Sequence, residues 1–474
     1  MTSPVSRRTF LGGAAATGMG IVIAGSIDAV AGSGSALAAP RSFAGYGALV
    51  PDPKKILALP SGFSYRIVSE TGVTNTADGV RTPSDPDGNG VFANGSGSTI
   101  VNNHEIKGTE TYPVPTLPGL TYDQGARGGT TNIDVDARGN RIREYTSVAG
   151  THNNCAGGVT PWGTWLTCEE TEQRRGGAFL KDHGYVFEVD PVSQEANAGK
   201  SPVPLKFLGR FAHEAVAVDP RTRAIYETED ADQPHGLYYR WSPPNGAGGG
   251  KDSLRRLALA QGCKGGDTAG RLQAMSCYRG SKHIPDLSLA TQAGTQYRVQ
   301  WQDVPDRDAT TTPVRGQFAD DQVTRSHKLE GAWWGEKGAY FVASFARNSD
   351  GSVNEHDGQV WFYDPETETV TLKTIFGVNP DPDVDTDSYD GPDNMTVSPY
   401  GGIILAEDGE GINHLVGVSA AGTTYPLARN EMGGGEFTGV AFSADGKILF
   451  ANIQSPGHVF AITGPWEMPT TGRR

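Results

Sequence analysis

Short apolar runs, each closed by a turn signal and most ending on an acidic residue, recur along this chain. In NCAGGVTPWGTWLTCEE (Asn154–Glu170) the runs Cys155–Thr160 and Thr164–Thr167 flank the turn tripeptide Pro161-Trp162-Gly163. This pattern predicts an antiparallel hairpin with the turn at one end and Cys155 beside Glu169 at the other. Four stretches repeat it: HEAVAVDPRTRAIYETED (His213–Asp230), LEGAWWGEKGAYFVASF (Leu329–Phe345), PDNMTVSPYGGIILAED (Pro392–Asp408) and FTGVAFSADGKILFANIQ (Phe437–Gln454). GVFANGSGSTIVNNHE, ending at Glu105, is a weaker copy.

After each hairpin comes a third run, usually Gly followed by aromatic and β-branched residues. Examples are GYVFEVDP (Gly184–Pro191), GLYYRWSP (Gly236–Pro243), GQVWFYDP (Gly358–Pro365) and GHVFAITG (Gly457–Gly464). GGTTNIDVD (Gly128–Asp136) and HLVGVSAAG (His414–Gly422) are looser. Six such units predict an all-β fold, a six-bladed β-propeller, because strands buried on both faces between radial neighbours read as continuous apolar runs. Superposing the units brings Cys155, Glu214, Glu330, Asp393 and Thr438 to the first open-end position. Glu105, Glu169, Glu229, Ser344, Glu407 and Asn452 fall at the last. The expected site is therefore an acidic mouth of the central channel.

Composition agrees: with 64 Gly and 30 Pro in 474 residues, turns and short strands are favoured over long helices. The formal charge of −14 argues against a nucleic-acid partner. The N-terminus reads as an address. Ser6-Arg7-Arg8-Thr9-Phe10-Leu11 precedes a weakly apolar stretch, Gly12 to Ala31, and Ala36-Leu37-Ala38 offers a cleavage site. Residues 1–38 are thus expected to engage the twin-arginine export machinery, which carries folded proteins. The mature chain, 39–474, would be secreted, periplasmic or bound in the cell envelope, and is expected to be a monomer. Asp28 and the Gly/Ala content argue against a stable membrane anchor.

Ala39–Ser61 reads as a linker-like lead-in, and Gly62–Ser69 as a strand that closes the last blade. Residues 244–327 form a long loop insertion holding Cys263 and Cys277, a disulfide candidate in an exported protein. Cys155 and Cys168 offer a second disulfide, but the place of Cys155 among Glu214 and Glu330 favours a ligand role.

Carboxylates alone suit calcium, whereas a thiolate among them points to a transition metal, iron or zinc. A single Glu at a strand end is ordinary solvated surface; acids recurring in register are not. The candidate ligands are Glu105, Cys155, Glu169, Glu214, Glu229, Asp230, Glu330, Asp393 and Glu407. His104 and His213 precede members of the set and fall on the other strand face, as packing or as ligands.

The chain resembles the PhoX alkaline phosphatases. The resemblance lies in NNHE (Asn102–Glu105), NNCAGGVTPWGTWLTCEE (Asn153–Glu170), GRFAHEAVAVDP (Gly209–Pro220), YETED (Tyr226–Asp230), KLEG (Lys328–Gly331), PDNMTVSPYGGIILAEDGEG (Pro392–Gly411) and GGGEFTGVAFSADGKILFANIQSPG (Gly433–Gly457). It implies hydrolysis of small phosphoesters at a channel mouth holding two ferric and three calcium ions. Cys155 matches an iron-bridging cysteine, and Glu214 and Glu330 match iron-ligating glutamates. Glu105, Glu169, Asp393 and Glu407 fall where further ligands are expected. Lys328 takes the place of a phosphate-contacting basic residue, giving the catalytic set Lys328, Cys155 and Glu330. A calcium-dependent propeller lactonase would leave Cys155 unexplained, and a non-catalytic propeller would use such metals structurally.

Overall fold

The computed structural model describes residues 45–260, 267–346, 355–385 and 388–466. Strands dominate, and α-helix is limited to short segments such as Gln194–Ala198 and Ser253–Ala260. All six expected hairpins form. The inner strands Pro86–Asn94, Asn154–Val159, His213–Val218, Leu329–Trp334, Pro392–Val397 and Phe437–Phe442 each pair antiparallel with the next strand in sequence. A third strand then adds to the second in every unit.

The six inner strands neighbour one another in chain order and close into a cycle, the last beside the first. All six line a small cavity, to which Gly88, Ala156, Ala215, Gly331, Asn394 and Val440 contribute among others. Small residues are required there. A Cβ on Gly88 would lie 2.5 Å from the Ala156 Cα, and one on Gly331 would lie 2.6 Å from the Asp393 carbonyl oxygen. Second strands are almost wholly buried, as in Ile403–Glu407 and Trp165–Glu169, which is why their sequences do not alternate. Between units the core gathers Tyr238, Met275, Phe341 and Trp361 in one cluster and Leu427, Leu449 and Phe460 in another.

The arrangement is all-β and propeller-like, but hydrogen bonding does not divide it into six separate blades. Among the described residues there are five sheets. The third and fourth units are fused into one eleven-stranded sheet through Arg271–Arg279 and Gln296–Asp303. These two strands belong to the insertion expected to be a loop. Its Gly- and Thr-rich flanks hide them in the sequence, and they cover two outer edges that would otherwise be open to another chain.

Ser64–Glu70 pairs with His458–Thr463, closing the last unit with an N-terminal strand as expected. The lead-in is more than a linker: Leu57–Pro60 joins the fifth unit beside Thr424–Asn430, and Leu49–Val50 pairs outside it. Cys155, Cys168 and Cys277 are buried free cysteines, so Cys155 and Cys168 do not form a disulfide. Cys263, the expected partner of Cys277, and the signal segment 1–38 lie outside the described residues. No described helix is long and apolar enough to cross a membrane.

Candidate metal centre

One backbone device builds the site. The inner strands start in register with the ends of their partners: Pro86 opposite His104, Asn154 opposite Glu169, His213 opposite Glu229, Leu329 opposite Ala343 and Pro392 opposite Glu407. The register then shifts in each, leaving two inner-strand residues unpaired, and a shift follows Thr438 in the sixth. A bulge of this kind bends the strand and re-aims a side chain. In the first five units the first unpaired residue is Asp87, Cys155, Glu214, Glu330 or Asp393.

These five side chains form a continuous belt with acids from neighbouring strand ends. Asp87, Glu105 and Cys155 bring ligand atoms within 4.8 Å of one another. So do Cys155, Glu170 and Glu214; Glu214, Glu330 and Asp393; and Asp393, Asp408 and Glu436. Cys155, Glu214 and Asp393 are each shared between two groups. The Cys155 thiol donates to Glu214 Oε1 at 3.0 Å.

Burial raises the pKa of Glu214 well above the usual carboxylate range, and Glu330, Asp393, Glu170 and Asp87 push it further. Asp87 is raised by burial and then by Glu105, Glu436 and Asp393. Burial also raises the Cys155 thiol, with Asp87 and Glu214 adding to it. Asp87 Oδ1 and Glu214 Oε2 are buried without a hydrogen-bond partner. Buried like charges with unsatisfied oxygens are costly unless cations lie among them. The donor set fits such ions: hard oxygens throughout and one soft sulfur at the junction of two groups.

Of the residues anticipated from sequence, Glu105, Cys155, Glu214, Glu330 and Asp393 come together. Asp230 lies beside them in contact with Lys328, whose Nζ is 3.1 Å from Asp230 Oδ2 and 2.6 Å from Glu330 Oε1. Glu169, Glu229 and Glu407 are not brought into the belt. Each braces the start of its third strand instead. Glu169 accepts from Gly184 N, Tyr185 N, His152 N and His183 Nδ1. Glu229 accepts from Leu237 N, the Tyr239 hydroxyl and Arg315, and Glu407 from His414 N and Nδ1 and from Asp390 N. Successive strand residues face opposite sides, so the next acids, Glu170 and Asp408, reach the belt in their place. His104 binds Ser84 O and Thr131 Oγ1, and His213 lies 3.1 Å from Glu227, so both pack behind the ligands.

Sequence reasoning missed Asp87, Glu170, Asp408 and Glu436. Two signals were available. Pro86-Asp87 matches Pro392-Asp393, and His104, not Glu105, is the counterpart of Glu169.

Fold and belt together define a class: a propeller-like β-protein that gathers several buried acids and one thiol at the starts of its inner strands. Residues 44–457 match the family described as Alkaline phosphatase PhoX. The chain belongs to this family of metal-dependent phosphatases. No curated protein matches it. Among solved structures, Pseudomonas fluorescens PhoX in complex with vanadate, a transition state analogue, superposes with a TM-score of 0.64 at 18% identity. That match covers 86% of this chain and 96% of the other. A gluconolactonase from Xanthomonas campestris covers 90% of this chain and 99% of its own at 12% identity, with a TM-score of 0.38.

Proposed function

We propose that phosphate monoester hydrolysis takes place at this belt, with iron held by Cys155, Glu214 and Glu330. Calcium would be held by Asp87, Glu105, Glu170, Asp393, Asp408 and Glu436. The single observation that carries the reading is the thiol of Cys155 shared between two acid groups in a chain of the PhoX family. A carboxylate-only calcium site would have no use for that sulfur.

Two ferric and about three calcium ions, when bound, supply the positive charge that draws a phosphate dianion into an acidic pocket, and Lewis acidity toward its oxygens. The chain's own residues do the rest. The bulges hold the ligands at fixed separation, and the carboxylates behind them lock each strand end. Asp230 and Glu330 keep the Lys328 ammonium at the mouth, where it orients the phosphoryl group and offsets charge developing on it. Lysine offers a point charge where arginine would grip two oxygens. No Ser or Thr nucleophile motif stands out in the sequence, which supports direct attack by water. Residues 1–38 would direct the folded, loaded protein out of the cell by the twin-arginine route.

The test is turnover of p-nitrophenyl phosphate before and after calcium chelation. Activity should vanish on chelation and return with added calcium. Full activity after exhaustive chelation and dialysis would overturn the calcium assignment, and no turnover by metal-loaded protein would overturn the reaction.

A further inference from the structure

The insertion does more than cover sheet edges. Its short turn Val314–Gln317 carries Arg315, which is only 9% exposed. Arg315 Nη1 lies 2.9 Å from Glu172 Oε2 and 3.0 Å from Glu229 Oε1. Glu172 is two residues beyond Glu170, and Glu229 immediately precedes Asp230. One guanidinium thus joins the strand ends that deliver rim acids from two different units.

The clamp is itself braced. Gln317 accepts from Asp306 N at 2.8 Å and donates to the Asp306 and Thr312 carbonyls. Arg325 donates to the carbonyls of Arg315, Phe318 and His235. Arg210 donates to the Glu172 carbonyl at 3.0 Å, so Glu172 is held at backbone and side chain alike. Three residues beyond Arg325, the chain reaches Lys328.

We propose that Arg315 is a positioning residue of the metal centre: from the insertion it holds the strand end that carries Glu170 against the strand end of the third unit, which carries Glu214 on its inner strand, and so sets the affinity of the belt for calcium. The inference rests on the metal reading above. Groups that orient a metal's ligands typically change its affinity 10- to 100-fold when removed. Arg315→Met should weaken calcium binding by roughly that factor, read by equilibrium dialysis with elemental analysis, not by activity. Arg315→Lys keeps the charge but not the planar head that aims Nη1 at both acids, and should fall between Arg315→Met and the parent.

Leu272→Ala is the control. Leu272 is buried in the same insertion, in its apolar core. Its truncation should lower the thermal midpoint and leave calcium affinity unchanged. The proposal is overturned if Arg315→Met binds calcium like the parent, or if Leu272→Ala weakens binding equally. Should Arg315→Met fail to fold, parent-like affinity in Arg315→Lys overturns it instead. A parent that binds no calcium would remove the metal reading itself, and this inference with it.

Discussion

The sharpest consequence of the bulge geometry is that adjacent glutamates, Glu169 and Glu170, have opposite roles. Glu169 is fully buried, and each of its oxygens accepts two hydrogen bonds: Oε1 from His152 N at 2.9 Å and His183 Nδ1 at 2.6 Å, Oε2 from Gly184 N at 2.8 Å and Tyr185 N at 3.1 Å. Glu169→Gln replaces one oxygen with an amide nitrogen. In either orientation two buried donors then face a donor, at about 1–3 kcal/mol each, so the metal-free protein should lose roughly 2–6 kcal/mol. Glu170→Gln removes a charge from a group that already crowds Glu214. Metal-free stability should stay within about 1 kcal/mol of the parent, while calcium binding weakens. The assay is guanidinium denaturation of metal-free proteins beside emission spectroscopy of metal-loaded ones. The bulge argument is refuted if Glu170→Gln is the less stable variant and binds calcium like the parent.

Burial pulls the His183 pKa down, but its contacts with Glu169 and Asp123 outweigh this and hold it above 6.5. The stability it contributes is therefore complete below pH 6.5 and is lost as pH rises through the elevated folded value; Asp123→Asn should flatten that fall in pH-dependent denaturation. Gly331→Ala would set a Cβ 2.6 Å from the Asp393 carbonyl, costing about 1–3 kcal/mol by denaturation and lowering iron content, since Glu330 and Asp393 both move. Lys328→Ala should keep its iron and lose ~1.5–4 kcal/mol of transition-state stabilisation, read as kcat/KM for p-nitrophenyl phosphate; unchanged kinetics at full iron would remove this lysine from the site.

The hairpins, their third strands and the closing N-terminal strand were legible because each rests on local signals: a turn between apolar runs, and burial on both faces. The fused sheet was not. Arg271–Arg279 and Gln296–Asp303 pair with partners distant in sequence, and their flanks carry loop composition. At the site, residue types pointed to the strand ends where the acidic belt forms but not to every side chain in it. Taking Glu169 as a ligand assumed unbroken pairing across the hairpin, and a bulge shifts the facing side by one residue without any mark in a single copy. Comparing copies carries more: Pro86-Asp87 against Pro392-Asp393 exposes the first unit's member of the belt, and the doublets Glu169-Glu170 and Glu407-Asp408 divide between bracing a strand and joining the belt. Arg315 left no trace at all, since its two acids meet only in the folded chain.

The central claim is that residues aimed by the bulges hold the metals. Crystals of protein purified from an iron- and calcium-replete host, measured at the iron absorption edge, test it most directly. The account predicts anomalous peaks among Cys155, Glu214 and Glu330, with none beside Glu169, Glu229 or Glu407. Peaks at those bracing glutamates, or iron-free crystals of fully active enzyme, would contradict it.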